Sequence, residues 1–345
     1  MDVCGARVAG HHDDRHNCRR VVLCENDYPQ DSEGTIGYKE KRVKIAITTP
    51  NGHVGRKIAE LLLADPQGHE IVLLPHNAEK IRDLAERGAA VREIDLSDRE
   101  WVLEETSDID TLFWVLPADL QTQDVVRHYW KIGGIGADAV RLNKIKHAVL
   151  LSSIGAHLGE EGRVGPIKGL KQAEEFFRFV TSNLVIVRPT YFMENLLMNL
   201  PSIAAEGKMY LPVSGEAKVW MIATRDIAAA IAGFIREPFT GIRVMPLHGP
   251  REYRFDEAAD IIGKAIGKQV SVVTIPSEAA KAAMVGVGMS ENMAANVVEM
   301  MDSVERGRLR PEQPHAADAE TPTTLEQFAE TVIAPAVRSM QKANT

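Results

Sequence analysis

From Lys44 onward the chain alternates short β-prone runs with stretches of helical periodicity, and this alternation is the strongest constraint on its fold. "KIAIT", "EIVLLP", "AAVREID", "DTLFWVLP", "HAVLLSS" and "LVIVRP" read as strands, each a short apolar run bounded by turn residues. "AEKIRDLAERG", the stretch from about Leu120 to Leu142 and "LKQAEEFFRFVTS" read as helices between them, the second interrupted by "GGIG". Parallel strands need crossover connections, so this order predicts an α/β protein with a doubly wound parallel sheet covered on both faces. The sheet domain is expected over 43–195. A smaller C-terminal α/β portion, 196–345, is expected to bind substrate and to send some segments back to the sheet. "RFDEAADIIGKAIG", "VSVVTIP" and two helices around a Gly-rich break after Pro276 would form it. Five methionines there, Met284, Met289, Met293, Met300 and Met301, suit either an adaptable apolar pocket or ordinary core filling.

A doubly wound sheet binds ligands outside the carboxyl ends of its strands, where strand order reverses. The first such end is "TTPNGHVG", in which a strand ending at Thr48 meets a turn and then a helix carrying Val54, Ile58, Leu61 and Leu62. This is the Rossmann-like arrangement for a dinucleotide. Its first glycine allows the tight turn, its second lets the backbone approach the pyrophosphate, and its third lets helix and strand pack closely. Gly52 and Gly55 fill the second and third places, whereas the first is Thr49, followed by Pro50. Thr49 is expected to be tolerated because the strand can end before it and Pro50 fixes φ near about −65°. Thr48, Asn51, Gly52, His53, Val54 and Gly55 are therefore candidate cofactor contacts.

The chain has 345 residues, 45% hydrophobic and 26% charged, enough for a substantial core. A net charge of -8 argues against a general nucleic-acid surface or an anionic membrane as partner. No apolar run reaches the length of a membrane span and the N-terminus lacks a signal-type apolar core, so a cytoplasmic protein acting on a small molecule is expected. Residues 1–42 read as a polar extension. Cys4, Cys18 and Cys24 lie there with His11, His12 and His16, but their spacing matches no familiar zinc finger, and no metal site is expected.

"TTPNGHVGRKI", "HNAEKI", "IDLSD", "DTLFWVLP", "KHAVLLSSIGA", "RPTYFMENLL", "TRDIAAAI" and "TPTTLEQFAE" occur in an order that resembles the NmrA-like family of atypical short-chain dehydrogenases. "RPTYFMENL" is the most specific of them, and the likeness extends from about Val43 to Ala329. The resemblance implies a nicotinamide-dinucleotide site and either reductase or redox-sensing roles. His76 stands where relatives often carry an arginine near the adenosine 2′-phosphate; it reads equally as a loop residue. No Asp or Glu occupies that place, which favours NADP(H) over NAD(H). Asp95 and Leu96 match a pair bordering the adenine, or Asp95 caps the next helix. Pro117, Ser152 and Ser153 lie where the nicotinamide ribose would run, and Ser153 could also reach a substrate oxygen.

The resemblance breaks at the proton relay. Anchored on Glu174, the places of the Tyr and Lys of short-chain dehydrogenases hold Pro166 and Leu170, and neither transfers a proton. Lys168 and Lys171 point away from that place and read as solvated. Tyr191 is the candidate donor, with Ser153 beside it. Glu194 and Asn195 read either as pocket groups or as servants of the following helix. An NAD(P)H-dependent oxidoreductase acting on a small, largely apolar substrate is the leading expectation. A cofactor-sensing regulator and a redox-neutral isomerase, cyclase or lyase are the alternatives.

Overall fold

Seven parallel strands form the central layer: β1 (Lys44–Thr48), β2 (Glu70–Leu74), β3 (Ala90–Val91), β4 (Thr111–Val115), β5 (His147–Leu151), β6 (Leu184–Val187) and, much later in the chain, β10 (Ile242–Met245). The structure is a computed structural model that describes residues 42–237, 239–312 and 318–343. The Cys4, Cys18, Cys24 and His11, His12, His16 segment lies outside the described residues. Strand order is β10-β6-β5-β4-β1-β2-β3, so the chain reverses direction across the sheet between β1 and β4. That is the switch point at which a doubly wound sheet opens a crevice.

Alternation along each strand divides the core in two, as the period-2 pleat requires. Ala46, Val72, Leu112, Trp114, Ala148, Leu150 and Ile186 point to one face, where α4 (Val125–Leu142) and α5 (Lys168–Val180) pack. Ile45, Ile47, Ile71, Leu73, Phe113, Val149 and Val185 point to the other, against α1 (His53–Leu63) and α7 (Thr224–Arg236).

Two sequence expectations need correction. The glycines of "GGIG" do not interrupt α4, which is continuous through them. A Cβ on Gly133 would stand 2.6 Å from Ala173 Cβ of α5, and one on Gly136 would stand 2.4 Å from the Trp114 ring. These glycines permit close packing of the helix instead of breaking it. "AEKIRDLAERG" is also not one helix; it splits into a 3₁₀ turn, Ala78–Ile81, and the short α2 (Arg82–Glu86).

The remaining elements build a cap over the carboxyl edge. β7 (Tyr191–Phe192) pairs with β9 (Lys218–Ile222), which in turn pairs with β11 (Glu252–Arg254), and β8 (Lys208–Leu211) pairs with β12 (Ser271–Thr274). Of the helices, α8 (Phe255–Ile266), α9 (Ser277–Gly286) and α10 (Glu291–Glu305) lie in this portion, and α10 packs against residues 165–167 at the start of α5. Among the described residues no helix is long and apolar enough to cross a membrane.

Candidate functional site

At the β1 carboxyl end, the strand stops at Thr48 and Thr49 adopts φ 47°, the left-handed region that glycine favours. Thr49 stands where a dinucleotide-binding turn usually has glycine, and it bears the strain of this conformation. The Gly52 N–H donates to the Thr49 carbonyl at 3.0 Å, closing the turn. Gly52 then acts as N-cap of α1 with extended backbone, and no side chain caps the helix. The first amides of α1 consequently have no intrahelical acceptor. Asn51, Gly52 and His53 are exposed around them, while Val54 is buried beneath.

These features fit an anionic dinucleotide linker. The helix N-terminus presents unpaired N–H groups at the switch point, and the nearest atom to a Cβ built on Gly52 is the Thr49 carbonyl oxygen, 3.5 Å away. Gly55 has a different role: a Cβ there would lie 2.5 Å from the same oxygen, so only glycine lets α1 sit this close to the turn.

Two candidate contacts have hydroxyls engaged elsewhere. Thr48 is fully buried; its Oγ1 donates to the Phe113 carbonyl and accepts from the Val115 N–H, both at 3.1 Å. It joins β1 to β4 where their ladder ends, so its hydroxyl is already engaged. Ser152 Oγ donates to Glu174 Oε1 at 2.6 Å and its backbone N–H donates to the Val187 carbonyl at 2.8 Å, so neither donor is free to face the crevice. Glu174, 1% exposed, also accepts from Arg188 through Nε at 2.9 Å and Nη2 at 2.6 Å, and Arg188 reaches on to Glu312.

Beyond β2, His76 is exposed and lies near Asp95. The Ser97 amide holds the Asp95 carboxyl below its usual range, with smaller contributions from His76 and Lys131. Asp95 does not cap the next helix: Asp98 does, accepting from the Trp101 N–H, and Asp95 instead accepts from Ser97 N–H at 2.8 Å. Leu96 is buried in the core. The Pro117 carbonyl accepts from His128 Nε2 at 2.9 Å, tying the end of β4 to α4.

A cavity of ≈ 330 Å³ opens beyond β5 and β6. Its apolar wall includes Ile154, Ile167, Phe192, Met300 and Leu309. Pro166 and Leu170, at the two places expected for a relay, line it too and present hydrocarbon to the pocket. Ser153 and Tyr191 line it as well, and the Ser153 hydroxyl is 3.1 Å from the Ile154 carbonyl. Burial pushes the Tyr191 phenol far up, leaving it protonated.

Asn195 also lines this cavity and caps no helix, which corrects its reading as a cap. Glu194 does serve a helix N-terminus, but that of α7: it accepts from Thr224 N–H at 3.0 Å and Thr224 Oγ1 at 2.5 Å. Lys168 is paired with Glu299 at 3.2 Å instead of being free in solvent. Sequence reasoning missed Tyr129 and Thr190, both cavity-lining. The signal for Tyr129 was its spacing with Val125 and Ile132, which puts it on the buried face of α4 one turn inside the carboxyl edge.

The NmrA-like family model matches residues 41–329. The chain is 28% identical over 256 residues to the NAD(P)H azoreductase of Xenophilus azovorans, spanning 74% of this chain and 85% of that protein. It is 24% identical over 267 residues to quinone oxidoreductase 2 of Escherichia coli (strain K12), spanning 77% and 89%. Among solved structures, Citrobacter sp. triphenylmethane reductase complexed with NADP(H) shares the fold with a TM-score of 0.71 at 19% identity, covering 83% of this chain and 99% of that one.

Proposed function

The chain belongs to the NmrA-like family, and from that premise we propose that it is an NAD(P)H-dependent oxidoreductase that reduces a small, largely apolar organic substrate without a Tyr-Lys relay. The observation that carries this reading is the pairing, along one carboxyl edge, of an uncapped helix N-terminus at the switch point with an apolar cavity at the neighbouring strand ends. The names of the two enzyme relatives support reductive chemistry.

The amides of Asn51, His53 and Val54 would take the pyrophosphate, with Gly55 keeping α1 close enough to present them. His76, Asp95 and Leu96 would border the adenosine, and Pro117, Ser152 and Ser153 would line the nicotinamide ribose. A reduced nicotinamide, when bound, supplies hydride. The cavity wall excludes water and orients the substrate, which provides much of the acceleration in a reaction whose hard step belongs to the cofactor. Tyr191, kept protonated by burial, is a hydrogen-bond donor to charge developing on the reduced substrate.

NADP(H) is the proposed preference, because no acidic side chain directly follows β2 to take ribose hydroxyls. Glu93 moderates it: its carboxylate accepts from the Ala78 N–H at 3.3 Å, placing negative charge beside His76 and Asn77.

Titration with NADPH and NADH, followed by nicotinamide fluorescence, tests the reading. Gly52→Asp, which sets a side chain and a negative charge against the pyrophosphate, is expected to abolish binding while the protein stays folded. Unchanged NADPH affinity in that variant would remove the cofactor site, and binding without turnover over a panel of quinones and azo compounds would favour a sensing role.

A further inference from the structure

Among the described residues that line the 330 Å³ cavity, none is charged. Its polar groups are neutral, and the side chains of Thr190, Tyr129, Tyr191 and Asn195 have no hydrogen-bond partner among the described residues. Thr190 is 3% exposed, its backbone N–H donates to the Leu247 carbonyl at 2.9 Å, and its Oγ1 is buried without a hydrogen bond. Tyr129 is 7% exposed, and Tyr191 is half-buried against Phe255, ring centroids 5.8 Å apart. Neither phenol has a hydrogen-bond partner among the described residues. Buried polar groups are ordinarily satisfied, so a cavity that gathers unpaired hydroxyls is arranged for something that enters it.

The direction of those groups matters. Burial pushes the Tyr129 phenol up to about 12 and Tyr191 higher, so both remain O–H donors at any ordinary pH. A phenol donor wants an acceptor: a carbonyl oxygen, or an imine or azo nitrogen. A fixed anion could use the same donors, but it would have to leave water for an apolar wall with no cation to meet it, which is far more costly.

We propose that the cavity takes an uncharged, mainly apolar molecule bearing a carbonyl or imine-type acceptor, and that Tyr129 is the donor holding that acceptor. This rests on the reductase reading and identifies a second substrate-contacting residue, one helix away from Tyr191. Tyr129 comes from α4, whereas Tyr191 comes from the strand after β6, so the two can grip a planar molecule from different walls. Thr190 supplies a further neutral hydroxyl in the same cavity.

The test is equilibrium binding to the full chain saturated with oxidised NADP, so that no turnover occurs, using 1,4-naphthoquinone, naphthalene and 1,4-naphthoquinone-2-sulfonate as probes. Tyr129→Phe is expected to weaken naphthoquinone binding by about 2- to 12-fold, the range of one net hydrogen bond, and to leave naphthalene, which has no acceptor, unchanged. The sulfonate is expected to bind the unaltered protein at least about tenfold more weakly than the parent quinone. Equal losses for naphthoquinone and naphthalene would make Tyr129 a mere wall, and no loss for either would overturn the contact. A sulfonate that binds as well as the parent would overturn the uncharged-substrate assignment. Failure to bind NADP in the same dialysis is a separate result, against the reductase reading itself.

Discussion

Replacing Glu174 with Gln removes the charge against which Arg188 is buried. Glu174 accepts three hydrogen bonds, from Ser152 Oγ and from Nε and Nη2 of Arg188, and both partners are almost wholly inside the protein. Breaking a buried ion pair from one side commonly costs about 3–5 kcal/mol, because the remaining charge is left without compensation. Arg188 retains Glu312, which is partly exposed, so the lower end of that range, about 3 kcal/mol, applies here. At about 2.1 cal/mol/K per residue, a folded unit of roughly 300 residues has an unfolding entropy near ~0.6 kcal/mol/K, which makes the expected drop in Tm about 5 °C. Circular-dichroism melts at neutral pH would measure it. Exchanging both members for leucine, Glu174→Leu with Arg188→Leu, is expected to cost less than Glu174→Gln alone, since no uncompensated charge remains buried between them. The reasoning is refuted if Glu174→Gln melts within about 1 °C of the parent, or if the double exchange is the more damaging.

Thr49→Gly is expected to raise stability: it relieves about 1–2 kcal/mol of left-handed strain and gives back about 0.5–1 kcal/mol through the freer unfolded chain. A lower Tm would show that the Thr49 side chain contributes more than its backbone costs. Hydrogen bonds from Arg92 and Lys44 hold the Asp108 carboxyl well below its usual range. A depressed carboxylate contributes stability above its unfolded pKa of about 3.9 and loses it as pH falls through the folded value. Asp108 is half-exposed, so Asp108→Asn should cost only about 0.5 kcal/mol at neutral pH. That difference should shrink on acidification below about pH 4, and urea titrations that instead showed it growing would reverse the assignment. At the coenzyme edge, His76→Arg and Glu93→Gln should each tighten NADPH relative to NADH, measured by fluorescence titration; parallel changes for both coenzymes would place the 2′-phosphate elsewhere.

Six of the seven strands were legible because they are short apolar runs between turn residues, and those runs carry both faces of the core in alternation; β10, half of it exposed at the sheet edge, was not read as a strand. The turn was legible for the same reason that it departs from its pattern: Gly55 admits no Cβ, while Thr49 can hold a left-handed backbone at a bounded cost. What sequence could not carry was the long-range use of hydroxyls and carboxylates. Thr48 and Ser152 sit at strand ends like any cofactor contact, and only their partners, residues 113, 115 and 174, show where their hydroxyls go. Glu194 was readable as an acid for a helix N-terminus, yet the helix it serves begins 30 residues later. Glycine in α4 reads locally as a breaker, and its true role needs Ala173 and Trp114 in view. Tyr129 was hidden by ordinary amphipathic spacing, which marks a buried face without saying whether that face meets core or cavity.

The seventh strand and the helix α7 that covers α1 enter from beyond residue 223, long after the first six strands have been made. During synthesis on the ribosome, β6 therefore emerges with an open edge, and Ile58 and Leu62 of α1 emerge without Ile227, Ile231 and Ile235, which later share their core. The nascent sheet must wait for about 60 further residues, several seconds at ordinary elongation rates of about 5–20 residues per second, with an apolar face and an unpaired strand in water. A fragment cut near residue 195 would hold that state permanently and should be prone to aggregate, so a minimal cofactor-binding piece of this protein has to include the chain through Met245.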